Sequence, residues 1–293
     1  MKIKESIPQR LFHIFNVCFM LFMIIVTLYP FLYVLFASLS NATLFMAHQG
    51  PLCAPIAPNL AAYEAVLKNK MIFSGYRNTI IILAASLALN ILLTSLGAYV
   101  LSRRELLIKR PLMLYIVFTM FFSGGLIPFY HLVTSLGMYD TLWAVILPGA
   151  INTFNLIILR TGFEGIPVSL EESAKLDGAG DLTILFRIII PLTLPTIAVV
   201  VLYYAVATWN AWFNAMIFIR TRSLYPLQLV LREILIGNDT SIMESGADLG
   251  DAQAVSEMIK YAVIIVATLP ILVVYPFLQK YFVKGTLVGA VKG

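Results

Sequence analysis

Long stretches without charged residues are the feature of this sequence that most limits how it can fold. Asn78–Leu101, for example, contains no Asp, Glu, Lys or Arg. A helix needs about 20 predominantly apolar residues to cross the hydrocarbon core of a bilayer. Charged residues make up 12% of the chain, whereas a soluble domain carries roughly 25%. The sequence therefore predicts an integral membrane protein.

Six stretches are long and apolar enough to span a membrane. We predict an all-α polytopic membrane protein with six transmembrane helices in a single domain, residues 1–293, with spans at about 11–39, 78–101, 111–131, 141–160, 188–208 and 261–279. Gly124-Gly125 and Pro128 interrupt the third span near its outer end. The first span is longer than the roughly 7–15 apolar residues of a signal peptide. Two long outer loops are predicted, at about 40–77 and 209–260.

The distribution of Lys and Arg predicts the orientation of the chain. Loops on the cytoplasmic side of membrane proteins carry an excess of basic residues. With the N-terminus inside, most of the 20 Lys and Arg residues fall in inner segments, including Arg103, Arg104, Lys109 and Arg110. Both termini are therefore predicted to be cytoplasmic. The basic residues form no stripe with aromatic residues between them, so nucleic acid is not a predicted partner.

The spans carry almost no ionisable side chains. Carriers driven by an ion gradient usually need Asp, Glu, Lys or His inside the membrane. The sequence disfavours that class, and an ion-coupled secondary sugar carrier remains the alternative. The chain also lacks the G-x-x-x-x-G-K-[ST] loop that binds nucleotide phosphates, and an embedded enzyme would need convergent titratable residues. No such convergent residues are found, so an enzyme is not predicted. A metal site is not predicted either, because the candidate ligands are scattered along the chain: His13, His48, His131, Cys18 and Cys53.

The predicted inner segment at about 162–187 differs from the other loops. Ser169 and Glu172 have the spacing of a capping box, which predicts a short helix that starts near Ser169. Asp177 and Gly178 end it, since glycine adopts the left-handed conformation that closes a helix. A second short helix is predicted from about Asp181 toward the fifth span. The segment therefore forms a small helical knob of the kind that docks into a groove on another protein.

Glu172-Ser173-Ala174, Gly178 and Ile188-x-Ile190-Pro191 match the EAA signature of permease subunits of ATP-binding-cassette (ABC) importers. Ser173 stands where the signature has its first alanine, and Ile190 where it has leucine before the proline. The chain also resembles the carbohydrate branch of these permeases, which is similar to the smaller maltose permease. Within that branch it is similar to permeases for oligosaccharides or polysaccharide fragments, such as an alginate-oligosaccharide importer subunit. Three further stretches carry this likeness: Phe122–Pro128, Leu224–Ile234 and Tyr275–Gly285.

The resemblance implies a membrane subunit that forms half of an oligosaccharide pore in the bacterial cytoplasmic (inner) membrane. It implies four kinds of partner: a second homologous permease subunit, two ATPase subunits, an extracytoplasmic sugar-binding protein and the lipid bilayer. ATP and Mg are expected on the ATPase subunits, and no cofactor is expected on this chain. By carry-over, the coupling segment contacts the ATPase through Glu171, Glu172, Ala174, Leu176, Asp177, Gly178 and Ala179. The alternative for Glu172 is that it only caps its own helix.

Three further regions have candidate roles with open alternatives. Amide and aromatic residues suited to sugars are Asn152 and Asn155 in the fourth span and, near the end of the fifth, Tyr203, Tyr204, Trp209, Asn210, Trp212 and Asn214. Interfacial aromatic belts and bonds between helices would also explain them. The resemblance implies a binding-protein contact at Pro226, Gln228 and Arg232, or else an ordinary solvated loop. It also implies a C-terminal tail, Lys280–Gly293, that either reaches between the ATPase subunits or anchors at the bilayer surface.

Overall fold

A computed structural model describes residues 7–103, 107–236, 257–274 and 276. Within those ranges every regular element is helical and no strand occurs. Contacts divide the chain into two units, one of Met1–Lys70 with Ile234–Thr268 and the other of Met71–Glu233 with Leu269–Gly293. The predicted all-α class is confirmed, and the single domain stays a prediction. The predicted C-terminal tail and the stretch 237–256 of the second outer loop lie outside the described residues.

The helices vary widely in length. In chain order they are α1 (Ile7–Ser38), α2 (Ala42–Ala47), α3 (Ala61–Lys68), α4 (Lys70–Ser102), α5 (Lys109–Phe121), α6 (Leu126–Ser135), α7 (Trp143–Ile146), α8 (Thr153–Glu164), α9 (Val168–Leu176), α10 (Asp181–Ile184), α11 (Ile190–Leu192), α12 (Leu194–Trp209), α13 (Phe213–Phe218), α14 (Leu227–Ile236) and α15 (Glu257–Val274). A π-helical turn at Leu185–Ile189 joins α10 to α11.

Three of the described helices are long and apolar enough to cross a membrane by themselves, namely α1, α4 and α15. Three pairs of described helical segments meet the same criteria together but bend at a short break, by 109° between α5 and α6, by 47° between Trp143–Gly149 and α8, and by 87° between Asp181–Leu192 and α12. By length and composition, the described residues thus hold up to six spans if each bent pair is one. Glycine or proline, which weaken or remove helical hydrogen bonds, lie in or beside each break; the residues are Gly124, Gly125, Pro148, Gly149, Pro191 and Pro195.

In the first unit, polar and aromatic contacts hold the segment that follows α1. The Ser38 and Tyr63 hydroxyls lie 2.7 Å apart, and Ser40 Oγ accepts a hydrogen bond from the backbone N–H of Ile56. The rings of Tyr33 and Tyr261 contact each other with centroids 6.2 Å apart. These bonds connect α1 both to the polar segment after it and to α15.

The core of the second unit joins α4, α8, α12 and the segment between α9 and α12. Its buried members include Tyr99 and Leu101 on α4, Phe163 on α8 and Val200 on α12. Ile184, Leu185 and Ile189, which follow α9 in the chain, are fully buried in the same cluster. The segment that carries the EAA signature is therefore continuous with the packed interior of this unit.

Close packing of α8 against α12 depends on Gly162. A Cβ atom at this position would lie 2.9 Å from Thr196 Cγ2 and 3.0 Å from Thr196 Oγ1. Small residues let helices approach closely in membranes, where packing rather than water exclusion drives association. We expect Gly162→Ala to lower the free energy of unfolding of the detergent-solubilised protein by about 1–3 kcal/mol, the usual cost of overpacking.

The matched test is the double variant Gly162→Ala/Thr196→Ala, which removes the two nearest atoms. It should recover most of the lost stability when melting is followed by tryptophan fluorescence. A double variant as unstable as Gly162→Ala alone would contradict this account of the contact.

Candidate coupling segment and translocation cavity

The helix α9 begins earlier than its predicted capping box. It starts at Val168, Pro167 occupies the position before it, and no side chain caps its first turn. Pro167 has φ −58°, which suits a helix start. Proline has no backbone N–H, so it cannot donate the hydrogen bond that the glutamate of a capping box accepts. The capping box predicted for Ser169 and Glu172 is therefore wrong, because both residues already lie within the helix.

The C-terminal end of α9 is closed as the sequence predicts. Gly178 has a left-handed φ of 81°, its N–H donates to the Lys175 carbonyl at 3.0 Å, and the N–H of Ala179 donates to the Ala174 carbonyl at 2.9 Å. These two bonds form a Schellman motif. Ala174 and Ala179 also pack on the core cluster, so the turn has a fixed position relative to the interior.

The residues of the predicted coupling set separate into an exposed and an inward-facing group. Glu172, Leu176, Asp177 and Gly178 are exposed, and Leu176 has 89% of its surface accessible. An apolar side chain that is held by a rigid turn and exposed beside carboxylates forms a surface that a partner protein can cover. We call Glu172, Leu176, Asp177 and Gly178 the outer face of α9.

Glu171 points in the opposite direction. It is only 6% exposed and forms an ion pair with Arg103, which follows α4. The Arg103 guanidinium lies 4.4 Å from the centroid of the Tyr99 ring and donates to Ser102 Oγ at 2.8 Å. A buried carboxylate is costly unless it is paired and hydrogen-bonded. Glu171 is therefore engaged within the chain, whereas its neighbour Glu172 is free to meet a partner.

A second charged cluster joins α5 to α8. Glu164 Oε1 lies 2.7 Å from Lys109 Nζ and 2.8 Å from an Arg160 guanidinium nitrogen. All three side chains are partly exposed, so the two ion pairs contribute modestly to the stability of the protein. The cluster connects the start of one bent pair of helices to the end of the next.

A cavity of about 550 Å³ lies beside the break between α7 and α8. Five of the residues suggested for a sugar path line it, namely Asn152, Asn155, Tyr203, Tyr204 and Asn214. Asn90, Phe154 and Thr208 also line it. Aromatic faces and amide groups are the side chains that bind sugar rings and hydroxyls.

The two tyrosines in this cavity have different surroundings. Tyr203 is 40% exposed and its ring lies 6.1 Å from that of Phe154. Tyr204 is 4% exposed; its hydroxyl lies 2.8 Å from Thr94 Oγ1 and accepts a hydrogen bond from the backbone N–H of Asn152. Tyr203 can therefore meet a solute through its ring, whereas the Tyr204 hydroxyl joins α4, α8 and α12.

Asn152 and Asn155 do not lie on one face of a continuous span. Pro148 and Gly149 interrupt the helix, and Asn152 becomes the N-cap of α8, where its side chain accepts a hydrogen bond from the N–H of Asn155. Asn155 itself is buried. The sequence analysis placed both residues in the fourth span, and hydropathy does not report that the backbone breaks between Gly149 and α8.

Trp209 and Asn210 are not among the residues that line this cavity. Trp209 is buried, with its ring 6.3 Å from that of Tyr76. Asn210 donates from Nδ2 to the carbonyl of Val206, one turn back along α12. The sequence analysis missed Asn90, Phe154 and Thr208, although Asn90 carries a signal as a polar residue in the middle of a charge-free span.

The predicted binding-protein contact is only partly accessible. Pro226 is buried, Gln228 is half-buried, and the Arg232 guanidinium lies 4.7 Å from the centroid of the Trp212 ring. The exposed residues beside this stretch are Arg220, Thr221, Arg222 and Ser223, which the sequence analysis did not single out.

Asp140 holds this exposed stretch in place. Its carboxylate accepts hydrogen bonds from the N–H groups of Arg220 and Thr221, both at 2.8 Å, and from the Thr221 hydroxyl at 2.7 Å. These bonds, the Thr221 hydroxyl first, lower the pKa of the Asp140 carboxyl below its ordinary value of 3.8. The bonds to Asp140 therefore contribute fully to the stability of this stretch at pH values above 3.8. Their contribution is lost as the pH falls through the lowered pKa of Asp140.

Comparison with known proteins agrees with this architecture. No model of a protein family matches the chain. The polygalacturonan/rhamnogalacturonan transport system permease protein YtcP of Bacillus subtilis is 43% identical over 290 residues, covering 97% of this chain and 99% of YtcP. Protein LplC of Bacillus subtilis is 40% identical over 284 residues, covering 97% of this chain and 96% of LplC.

One solved structure is similar along nearly the whole chain. It is the crystal structure of a bacterial ABC transporter involved in the import of the acidic polysaccharide alginate, with a TM-score of 0.87, 31% identity, and coverage of 96% of this chain and 100% of that chain. The fold defines a polytopic helical membrane protein. The chain belongs to the permease subunits of carbohydrate ABC importers, as the EAA signature predicts. Such a permease is a transport component whose ATPase is separate.

Proposed function

We propose that this chain forms half of the path for an oligosaccharide and transmits the closure of ATPase subunits to that path. The partners would be a second homologous permease, two ATPase subunits that carry ATP and Mg on the cytoplasmic side, and an extracytoplasmic sugar-binding protein. The protein would lie in the bacterial cytoplasmic membrane with both termini inside. It would bind no cofactor and catalyse no reaction itself.

The observation that carries the proposal is the outer face of α9. Glu172, Leu176 and Asp177 are exposed on a turn whose backbone is fixed by the Gly178 closure. The residues that follow are buried in the core and lead into α12. Interior packing transmits displacement because packed elements are not continuously deformable. A partner that covers the outer face and moves would therefore move α12 and the cavity it lines.

The proposed step is alternating access. ATP would close the ATPase dimer, draw the two permeases' α9 segments together and change which side of the membrane the cavity faces. The energy would come from ATP on the partner chains. This agrees with the absence of a phosphate-binding loop from the sequence.

The substrate would be an oligosaccharide or a polysaccharide fragment. The names of the relatives support this, since YtcP is named for polygalacturonan and rhamnogalacturonan and the solved transporter for alginate. Tyr203 and Phe154 would meet the sugar ring, and Asn214 and Asn152 would offer amide groups.

The test of the proposed function is purification of the complex followed by uptake in proteoliposomes. We expect the chain to co-purify with an ATPase and a second permease, and uptake to stop when the phosphate-loop lysine of that ATPase is replaced. Uptake that persists in this variant and stops when the ion gradient is collapsed would support the ion-coupled carrier instead.

Tyr203 provides a prediction for the cavity. We expect Tyr203→Ala to reduce uptake by roughly 2- to 10-fold, the range given by aromatic contacts of 0.5–1.5 kcal/mol. Tyr203→Phe should remain near the wild-type rate because the ring is kept. Initial rates of labelled oligosaccharide uptake in proteoliposomes provide the measurement.

The matched control is Tyr204→Phe, which removes the neighbouring buried hydroxyl and its bonds to Thr94 and Asn152. It should lower thermal stability while leaving the apparent affinity for the saccharide unchanged. A Tyr203→Phe variant as impaired as Tyr203→Ala would show that the ring face does not meet the sugar.

A further inference from the structure

Glu171 is the one charged residue that is buried among the residues the structure describes. Its side chain has 8% of its surface exposed, and that of Arg103 has 21%. A buried ion pair seldom stabilises a protein more than well-packed apolar side chains of similar volume would. Stability alone is thus a weak reason for a carboxylate in this position.

The pair fixes an orientation that an apolar contact would not. The Arg103 guanidinium is held on three sides, by the Glu171 carboxylate, by the face of the Tyr99 ring and by Ser102 Oγ. Its planar fork of donors gives directional bonds to a carboxylate. A displacement of α9 therefore acts on the C-terminal end of α4 through a directional contact, in addition to the apolar packing of Ala174 on the same core cluster.

The helix α4 is suited to carry such a displacement. It is 33 residues long, contains no proline and has no break, whereas three other candidate spans are bent. Asn90 on α4 lines the cavity, and Thr94 contacts the Tyr204 hydroxyl. The distance from the end of α4 to Asn90 is about 20 Å along the helix axis. A rigid rod therefore connects the ion pair to the cavity wall.

Adjacent residues on a helix point about 100° apart, so neighbouring side chains of α9 face different surroundings. Glu172 lies on its outer face, and Glu171 faces α4. We propose that the Arg103–Glu171 ion pair is the linkage through which movement of α9 reaches α4 and the cavity. The inference rests on the proposed docking of an ATPase subunit on the outer face. Arg103 and Glu171 are positioning residues, since neither would touch ATP or the sugar.

The test compares coupling with stability in the purified complex. Arg103→Met is expected to destabilise the protein, because it leaves the buried Glu171 carboxylate without its partner. Glu171→Met should destabilise it less, because the Arg103 side chain is partly exposed. The double variant Arg103→Met/Glu171→Met removes both charges and should regain thermal stability. We expect it to assemble with the ATPase and keep basal ATP hydrolysis, while the ratio of saccharide taken up to ATP hydrolysed falls by about 5- to 150-fold.

Two further variants sharpen the comparison. Lys109→Met removes a charge on the neighbouring cluster but leaves Glu164 paired with Arg160, and it should couple normally. Arg103→Lys keeps the charge without the planar fork and should retain part of the coupling. A double variant that couples as well as the wild type, or a Lys109→Met variant that is equally uncoupled, would overturn the proposal.

The failure of this inference can be told apart from failure of the proposed function. If the wild-type complex takes up saccharide without ATP hydrolysis, the proposed function fails before any variant is considered. If the wild-type complex couples the two and the stable double variant does the same, only the linkage is wrong.

Discussion

Gly178→Pro should leave the protein inserted and stable but should reduce ATP-driven uptake by about 100-fold, near the upper end of allosteric coupling. Gly178 has φ 81°, and its N–H donates to the Lys175 carbonyl. Proline fixes φ near −65° and has no N–H, so both the turn and the hydrogen bond are lost. The outer face of α9 would then lose its fixed position. Uptake and saccharide-stimulated ATP hydrolysis in proteoliposomes measure the effect.

The control is Gly180→Pro, two residues further along the same turn. Gly180 has φ −75°, which proline adopts without strain, and a Cβ there meets no atom within 4 Å. This variant should transport nearly as well as the wild type. Saccharide-stimulated ATP hydrolysis that is undiminished in Gly178→Pro would contradict the assignment of this turn to coupling.

Leu176→Asp should largely abolish assembly with the ATPase subunit. The side chain is almost completely exposed and lies beside Glu172 and Asp177. If a partner covers it, an aspartate there would be desolvated without a partner, a cost of several kcal/mol for a buried unpaired charge. Co-purification of the ATPase with tagged permease provides the measurement, and the stability of the permease alone should change little.

Leu60→Asp is a suitable control, because Leu60 is also exposed but lies in a predicted outer loop. It should co-purify with the ATPase as the wild type does. Normal assembly of Leu176→Asp would show that the outer face of α9 is not covered by the ATPase.

The apolar stretches predicted the class and most of the helical regions, and they predicted the break at Gly124-Gly125. The breaks in the fourth and fifth spans were not predicted. Hydropathy reports how apolar a stretch is, and this is the same for a straight helix and for the bent pairs around Pro148 and Pro191. Backbone continuity depends on local hydrogen bonds that prolines remove. The helical segment that starts at Asp181 is accordingly separated from α12 by a bend of 87°.

The coupling segment was predicted well where its structure is local. The stop at Asp177-Gly178 follows from residues adjacent in sequence, and the structure closes α9 there. The different roles of Glu171 and Glu172 could not be predicted, because the burial of Glu171 depends on Arg103, which the tertiary fold brings to it. For the same reason Trp209, which packs against Tyr76, was grouped with Tyr203 although only the latter lines the cavity.

Cross-linking of α9 to the ATPase tests the central claim most directly. In a Cys18→Ser/Cys53→Ser background, single cysteines would replace Leu176, Glu172 or Glu171, and a short bifunctional thiol reagent would join them to cysteines in the ATPase groove. We expect products from Leu176→Cys and Glu172→Cys that change in yield when ATP is added, and none from Glu171→Cys. Products from Glu171→Cys alone, or none from either exposed position, would contradict the docking of the outer face on the ATPase.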